Sequence, residues 1–547
     1  MIVELIRDSM IGQLLRLTFS PRCLRYPDER RFQAITSDCQ RTSHASTDSS
    51  GTDDTLASKS ESKVKIITVI PLEPYPVTDV SAPALRGLRH IDAVDPKEWP
   101  TVIKWIVAAQ ICLYTFVVYL GSSIVLASLP FIQLRYEVTV TLSSLTIATY
   151  VFGYGFGALL FSPLSEIEFV GRNGPYLVSF ACFVAISAAT AACDNFPGLV
   201  ILRFAQGIFG SPALATGAAS MQDMLSVQYL PLAFLGWMGA ATLGPALGPI
   251  VSIFSVLGDG WRLPLWEICY VSAFVFVIMS VILPETYHTK RLFDQRRRLA
   301  VLTQNSDREP QHSVQLSHIF EKHLSRPVKI MLTRPAVAFA NIYTCLIYGL
   351  YYTFFECIPR VYLHIYHFTY TEVGLSFLSI AIGALLGGLA IFMWFMSSTR
   401  STSHRGPHAK PERNLMPALY ASVTMPVGLL LFAWTSRPNI HWAISLIGMT
   451  TYTASMFVVL QCLANYLILV HPEDAASLFA GNDFMRATTA AAAIVASHPM
   501  YDGLGVAWGV SLLAGLTCIC SLGLFWLYRA SPRLYDTGQG LGATEET

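Results

Sequence analysis

Charged residues are scarce in this chain. Asp, Glu, Lys and Arg make up 13% of its 547 residues, whereas 53% are hydrophobic. Soluble proteins carry about 25% charged residues. The formal net charge is +1, so no global basic or acidic bias points to a nucleic-acid partner. The composition favours one polytopic membrane unit over several soluble domains.

The chain also lacks motifs for phosphate, metal and disulfide chemistry. It has no GxxxxGK[ST] loop, no HExxH motif and no CxxC pair among its eleven cysteines. The glycine-rich GYGFG at 153–157 lies inside an apolar block, where Gly153 and Gly157 favour close helix packing over nucleotide binding. We therefore predict that the protein is not an enzyme and that it has no cofactor and no metal site.

What the sequence does contain is a series of apolar blocks of about 20 residues, the length that crosses ~30 Å of hydrocarbon. The blocks are predicted at 105–128, 142–162, 175–194, 199–221, 229–252, 263–283, 336–358, 373–396, 415–434, 440–470, 477–499 and 504–528. A polar connection from Glu285 to Pro335 divides them six and six. The pattern predicts an all-α integral membrane protein with twelve transmembrane helices in two six-helix bundles.

Basic residues set the predicted orientation. Lys and Arg cluster in the central connection and after the eighth block, whereas alternate connections carry about one each, such as Arg135. Both termini are therefore predicted to be cytoplasmic. The predicted segments are a disordered cytoplasmic region 1–100, an N-terminal bundle 101–284, a cytoplasmic central loop 285–335, a C-terminal bundle 336–530 and a cytoplasmic tail 531–547. At the very start, an interfacial helix, disorder and a misassigned exon are all open interpretations.

Several stretches carry a family resemblance. They are PLSEIEFVGRNGPY (163–176), LVILRFAQGIFGSPALATGAASMQD (199–223), LPETYHTKRL (283–292), LFAWTSR (431–437) and AASLFAGNDFMRA (475–487). From Trp105 to Tyr528 the chain resembles the major facilitator superfamily, specifically its fungal drug:proton antiporter branch. This resemblance implies the major facilitator fold.

The loop at 163–176 is similar to the family's loop between spans two and three. Gly171 and Arg172 match a Gly-Arg pair, and Glu166 stands near the expected acid, with two extra residues before Gly171. The resemblance implies a cytoplasmic gate in which Arg172 bonds helix carbonyls or Glu166. A positive-inside membrane anchor is the alternative interpretation.

The stretch GWMGAATLGPALGPIVS (236–252) places helix breakers in an apolar block. It resembles the antiporter signature of span five, keeping Gly244, Pro245 and Gly248, with Pro249 at the last position. The two prolines share one face, and each removes an amide donor, while the glycines let a neighbouring helix pack closely. We predict a kinked, tightly packed hinge helix. The signature implies export, and a purely structural kink is the alternative.

Ionisable side chains at membrane depth are functional candidates because burying them is costly. We predict that Arg203 takes part in proton coupling by biasing a nearby carboxyl group, with Glu356 as the first choice and Glu267 as the second. Glu356 follows several aromatic residues that would desolvate it, unless it lies solvated near the outer surface. Asp483 and Arg486 are interpreted as a structural pair.

The remaining predictions concern cargo and partners. Asn465, Asn482 and Tyr352 are candidate contacts for cargo. The resemblance implies a proton-coupled efflux transporter for a small organic compound, with a secondary metabolite or toxin as the expected class, in the plasma membrane. The predicted partners are that compound, protons and the lipid bilayer, with no nucleic acid, and the protein is expected to be a monomer. A polyamine or nutrient permease and a non-transporting membrane sensor are the alternatives.

Overall fold

The computed structural model describes residues 2–19, 24, 26, 95–226, 228–302, 334–402, 411–470 and 475–545. Within these ranges the chain is helical and contains no strand. Its long helices are, in order, Thr101–Ser123, Leu145–Ser165, Asn173–Ala192, Phe196–Gly210 with Pro212–Met224, Leu230–Asp259, Leu263–Ile282, Pro335–His364, Tyr370–Ser376 with Leu378–Thr402, Met416–Thr435, Trp442–Val470 and Ala475–Glu545. We call the first ten of these spans 1 to 10. Shorter helices comprise Ile2–Asp8, Met10–Phe19, Pro96–Glu98, Leu126–Ser128, Leu129–Tyr136, Val140–Ser143, His288–Leu302 and Pro411–Leu415.

The last long helix contains two membrane crossings. Its apolar part, Leu478–Ala530, has 53 residues, which is about 80 Å at 1.5 Å per residue and far exceeds one bilayer core. Gly505 interrupts it with φ +74° and ψ 165°. Before Gly505, Asn482 lies beside the first part of span 7, and Tyr501 lies beside Thr353 further along that span. After Gly505 the chain returns, because Gly523 lies against Phe339 near the start of span 7.

We therefore call residues 475–504 span 11 and residues 506–530 span 12. Among the described residues, eleven helices are long and apolar enough to cross a membrane, and the last of them crosses twice. The predicted all-α fold of twelve crossings in two six-helix bundles is confirmed.

The two bundles repeat one packing pattern. In the N-terminal bundle, span 1 packs on span 5, span 2 on span 4 and span 3 on span 6. The C-terminal bundle pairs spans 7 and 11, 8 and 10, and 9 and 12 in the same way. Between the bundles, span 2 contacts span 11 and span 5 contacts span 8. Such internal repeats place the central site at the interface between the two halves.

Local sequence signals fix where individual helices begin. The Asn195 side chain accepts a hydrogen bond from the Gly198 amide at 2.6 Å and starts span 4. Thr369 and Glu372 form a capping box at the start of span 8. Between these caps, long apolar stretches adopt helices because lipid offers no other partner for backbone N–H and C=O groups.

The structure corrects part of the prediction for residues 1–100. Residues 2–19 form two helices rather than a disordered segment, and both contact span 6. Asp8 forms an ion pair at 3.3 Å with Arg291 of the helix His288–Leu302, which lies in the predicted central loop. Residues 27–94 and 303–333 lie outside the described residues. At the other end, the last helix continues through the predicted tail to Glu545.

Candidate functional site

Arg203 is completely buried in span 4, with 0% exposure. Its Nε donates to the Thr146 carbonyl at 3.0 Å, and its Nη2 donates to the Gly121 carbonyl at 2.8 Å. Nη1 donates to Gln206 Oε1 at 3.0 Å, and the guanidinium lies 4.4 Å from the centre of the Tyr150 ring. Because these partners belong to spans 1, 2 and 4, Arg203 fixes three helices of the N-terminal bundle together.

In this conformation the predicted acid partner does not lie beside Arg203. Among the described residues, no carboxylate lies within ion-pair distance of Arg203. Glu267 accepts a hydrogen bond from Ser255 at 2.6 Å, between spans 5 and 6. Glu356 lies near the outer end of span 7 with partners of its own. Main-chain carbonyls and the Gln206 side chain, rather than a carboxylate, accept the hydrogen bonds of Arg203.

Glu356 belongs to a charged cluster at the predicted outer ends of spans 7 and 11. Arg360 contacts Asp502 at 2.5 Å and Glu356 at 3.5 Å. Nδ1 of His498 lies 3.2 Å from Glu356 and 2.8 Å from Arg360, and its Nε2 lies 3.2 Å from Asp502. The Glu356 side chain is 24% exposed. Glu356 thus lies one turn beyond Tyr352, in a partly exposed cluster with Arg360 and His498.

A chain of hydroxyl groups joins the two bundles at the centre of the molecule. Ser122 of span 1 lies 3.0 Å from the Tyr352 hydroxyl of span 7. The Tyr154 hydroxyl of span 2 lies 2.6 Å from that of Tyr348 and 3.5 Å from that of Tyr352. All four residues are buried. Tyr352, predicted to contact cargo, is in this conformation part of the contact between the bundles.

A buried ion pair lies next to this chain. Asp483 and Arg486 of span 11 are 2% and 5% exposed, and Nη2 of Arg486 lies 2.8 Å from Asp483 Oδ1. The same Nη2 donates to the Tyr119 hydroxyl of span 1 at 2.7 Å, so the pair also reaches the opposite bundle. The guanidinium lies 4.8 Å from the centre of the Tyr348 ring. Asp483 Oδ2 and Arg486 Nε have no hydrogen-bond partner.

The pair borders a small cavity of about 20 Å³, which has room for about one water molecule. Its lining includes Trp237, Thr344, Phe479, Asn482, Asp483 and Arg486. Asn482 donates to Asn341 at 2.6 Å and to Thr344 at 2.7 Å, and Nδ2 of the buried Asn465 has no partner. Of the predicted cargo contacts, only Asn482 borders this cavity. Its walls combine aromatic rings with amide and charged groups.

The glycines of the span 5 signature pack directly on span 1. A Cβ on Gly244 would lie 2.8 Å from the Phe116 carbonyl, and one on Gly248 would meet Ser123 Oγ. Ser123 donates to the Pro245 carbonyl at 2.9 Å. Pro249, four residues on, has no N–H to offer that carbonyl, so Ser123 replaces the missing helical bond. The close packing is present, and Leu230–Asp259 remains one helix through both prolines.

At the predicted cytoplasmic end, Arg172 is buried and forms an ion pair with Asp223 at the end of span 4. Its guanidinium also lies 5.2 Å from the centre of the Tyr287 ring and 3.4 Å from Ser165 Oγ. Glu166, the predicted partner, lies near enough to act on Arg172 electrostatically. Asp223, which was not among the predicted site residues, is the acid in direct contact with Arg172.

A second acid, Glu285, joins the end of span 6 to the start of span 3. It accepts hydrogen bonds from the amides of Arg172 and Asn173, each at 3.1 Å, and from that of Tyr287 at 2.9 Å. Gly171 has φ +70°, and a Cβ there would meet Glu285, so glycine is required at this position. Burial raises the pKa of the Glu285 carboxyl above its usual range, although the three amide donors act in the opposite direction.

The fold and the central site together define a class of protein. Two similar six-span bundles meet around a central polar site in a chain with no ATP-binding motif, which is the architecture of a secondary transporter.

Comparisons with known proteins agree with this class. The sequence profile of the Major Facilitator Superfamily matches residues 111–494, and the chain belongs to this family. It is 40% identical to the MFS-type transporter pyvG of Aspergillus violaceofuscus, over 81% of this chain and 82% of that protein. It is 33% identical to the Cycloheximide resistance protein of Candida maltosa, over 81% and 83%.

A solved structure supports the fold. The xylose transporter XylE of E. coli, in a partially occluded inward-open conformation, matches with a TM-score of 0.57 and 13% identity. The match covers 78% of this chain and 98% of that one. At this identity the likeness concerns the fold alone. Together with the apolar helices, the family identifies a multi-pass membrane protein.

Proposed function

We propose that this protein is a proton-coupled secondary transporter that exports a small organic compound. The relatives named for resistance and transport support this direction and class of cargo. The main support for the proposal is the cavity at the centre of the molecule, where groups from both bundles form aromatic and polar walls. Pockets for organic ligands typically have volumes of about 300–1,000 Å³, so the bundles must separate before cargo enters.

The proposed cycle is alternating access, in which the bundles rock about this centre. On the aromatic side of the cavity, Trp237 and Phe479 meet edge to face, with ring centres 6.4 Å apart. This contact between spans 5 and 11 must open for cargo to reach Asn482. Asn465 and Tyr352 remain proposed cargo contacts, which become available in a more open conformation.

The ends of the molecule are proposed to act as a gate and a hinge. Arg172, with Gly171 and Glu166 in the same loop, closes the cytoplasmic end through Asp223, because the ion pair holds the loop against span 4. Span 5 is the proposed hinge, since Gly244 and Gly248 bring it into backbone contact with span 1. We further propose a monomer in the plasma membrane with both termini in the cytoplasm.

Transport by the purified full chain in proteoliposomes tests the function. Radiolabelled cycloheximide and a fluorescent aromatic cation, rhodamine 6G, serve as probes. With an acidic lumen, inside-out transporters should concentrate a probe in the lumen, because protons leave as cargo enters. Protein-free vesicles provide the control for passive partitioning.

The same assay separates the alternatives. Movement in the same direction as the protons would indicate a permease, for which spermidine and radiolabelled amino acids are the additional probes. A sensor would move none of these compounds under any gradient. Either result would replace the export proposal.

A further inference from the structure

We propose that Asp483 is the carboxylate that binds and releases the transported proton, and that Arg486 transmits its charge state to the opposite bundle. This inference rests on the proposed function. It assigns proton coupling to a pair that the sequence favoured as structural.

The pair lies deep in the membrane, next to the cavity. Arg486 lies about 16 Å from the start of span 11 at 1.5 Å per residue, close to the middle of a bilayer core. Asp483 is one turn away and lines the cavity, and its buried Oδ2 has no hydrogen-bond partner. A proton that reaches Asp483 therefore finds a carboxylate oxygen without a hydrogen-bond partner. Glu356, by contrast, lies in the outer cluster with Arg360 and His498.

Arg486 also connects the two bundles. Arg486 holds Asp483 of its own bundle and the Tyr119 hydroxyl of the other through one terminal nitrogen. The titratable groups that face Asp483 and Arg486 from other helices are Tyr119 on span 1, Tyr154 on span 2, and Cys345, Tyr348 and Tyr352 on span 7. None of these facing groups is a carboxylate, so Asp483 is the group that neutralises Arg486.

The consequence follows from charge. When Asp483 takes up one proton on a carboxylate oxygen, its charge is lost and Arg486 remains as an uncompensated buried cation. Such a charge is strongly unfavourable in a low-dielectric site. The closed arrangement then loses stability relative to one in which water or cargo reaches Arg486. Release of the proton to the other side restores the pair, so one proton crosses the membrane for each cycle.

The test compares uphill transport with exchange in the proteoliposome assay. For one proton per cargo, a gradient of one pH unit sustains about a tenfold accumulation of the probe. Asp483→Asn should abolish this accumulation while exchange of labelled for unlabelled cycloheximide continues at zero gradient. Asp483→Glu should restore accumulation in part. The control Asp259→Asn removes an acid that is exposed at the end of span 5 and should accumulate cycloheximide like the wild type.

Infrared spectroscopy of the full chain provides a readout that does not need transport. Lowering the pH should produce the carbonyl stretch of a protonated carboxylic acid in the wild type, and Asp483→Asn should lack that component. Undiminished accumulation by Asp483→Asn, or an unchanged infrared band, would overturn the inference. Loss of accumulation in Glu356→Gln with normal coupling in Asp483→Asn would assign the proton to Glu356 instead. If the wild type moves no probe, the proposed function fails, while the infrared comparison still decides whether Asp483 titrates.

Discussion

Gly244→Ala is the sharpest test of the packing at the proposed hinge. The added methyl group would lie 2.8 Å from the Phe116 carbonyl oxygen, 2.8 Å from Tyr119 Cβ and 2.9 Å from the Leu120 amide nitrogen. Two of these atoms are backbone, so no side-chain rotation relieves the contact. Span 5 must therefore move away from span 1, and overpacking of this kind costs about 1–3 kcal/mol.

A second glycine of the same helix supplies the control. Gly239 has no atom within 4 Å of the position of an added Cβ. Both variants gain the same preference of alanine over glycine in a helix, about 0.5–1 kcal/mol, so this contribution cancels in the comparison. Gly244→Ala should be less stable than Gly239→Ala by about 1–3 kcal/mol. It should also transport more slowly at equal abundance in the membrane.

The assay is thermal unfolding of both purified variants in one detergent, together with uptake into proteoliposomes. Equal unfolding midpoints for Gly244→Ala and Gly239→Ala would refute the close contact between spans 1 and 5. Normal stability with impaired transport only in Gly244→Ala would instead indicate that the helices separate during the cycle and meet closely in another conformation.

Three other outcomes are expected. Arg203→Lys should lower the free energy of unfolding by about 2–5 kcal/mol, because a single ammonium group cannot replace the hydrogen bonds to both carbonyls and to Gln206. Unfolding in denaturant measures this loss. Asp223→Asn should weaken the cytoplasmic gate. An impermeant thiol reagent should then label Trp237→Cys faster when Asp223→Asn is also present than when it is absent. Equal labelling rates would argue against the gate. Protease should spare tags at both termini in intact cells and cleave one inserted after Arg437, and cleavage of either terminal tag would contradict the proposed orientation.

The sequence predicted the fold well because backbone N–H and C=O groups in lipid must form their hydrogen bonds within the protein. Apolar blocks of the right length must become helices, and their number and division follow from counting. The interruption at Gly505 shows what counting apolar blocks does not predict. The sequence indicated a break between the last two blocks, whereas the packing partners of span 12 become visible only from contacts such as that between Gly523 and Phe339.

The candidate site was less predictable because it depends on distances between separate helices. Arg203 was correctly singled out as a buried charge, yet apart from Gln206 its partners are main-chain carbonyls, which carry no sequence signal. Asp223 and Glu285 lie within stretches that showed the family resemblance, but the contacts with Arg172 join positions far apart in sequence. At the start of the chain a helix was only one of several open interpretations, since the ion pair that holds it through Asp8 is also long-range.

Arg203 and Arg486 are both buried, but Arg203 contributes to the stability of one bundle, whereas Arg486 is placed to contribute to proton coupling. All hydrogen bonds of Arg203 stay within the N-terminal bundle, so rocking of the bundles leaves them intact. Arg486 divides its contacts between the two bundles, through Asp483 on one side and Tyr119 on the other. Rocking must therefore change the surroundings of Arg486 and, through it, the free energy of protonating Asp483. By linkage, a proton on Asp483 must then shift the balance between the two arrangements by the same amount, which is the reciprocity that coupled transport requires.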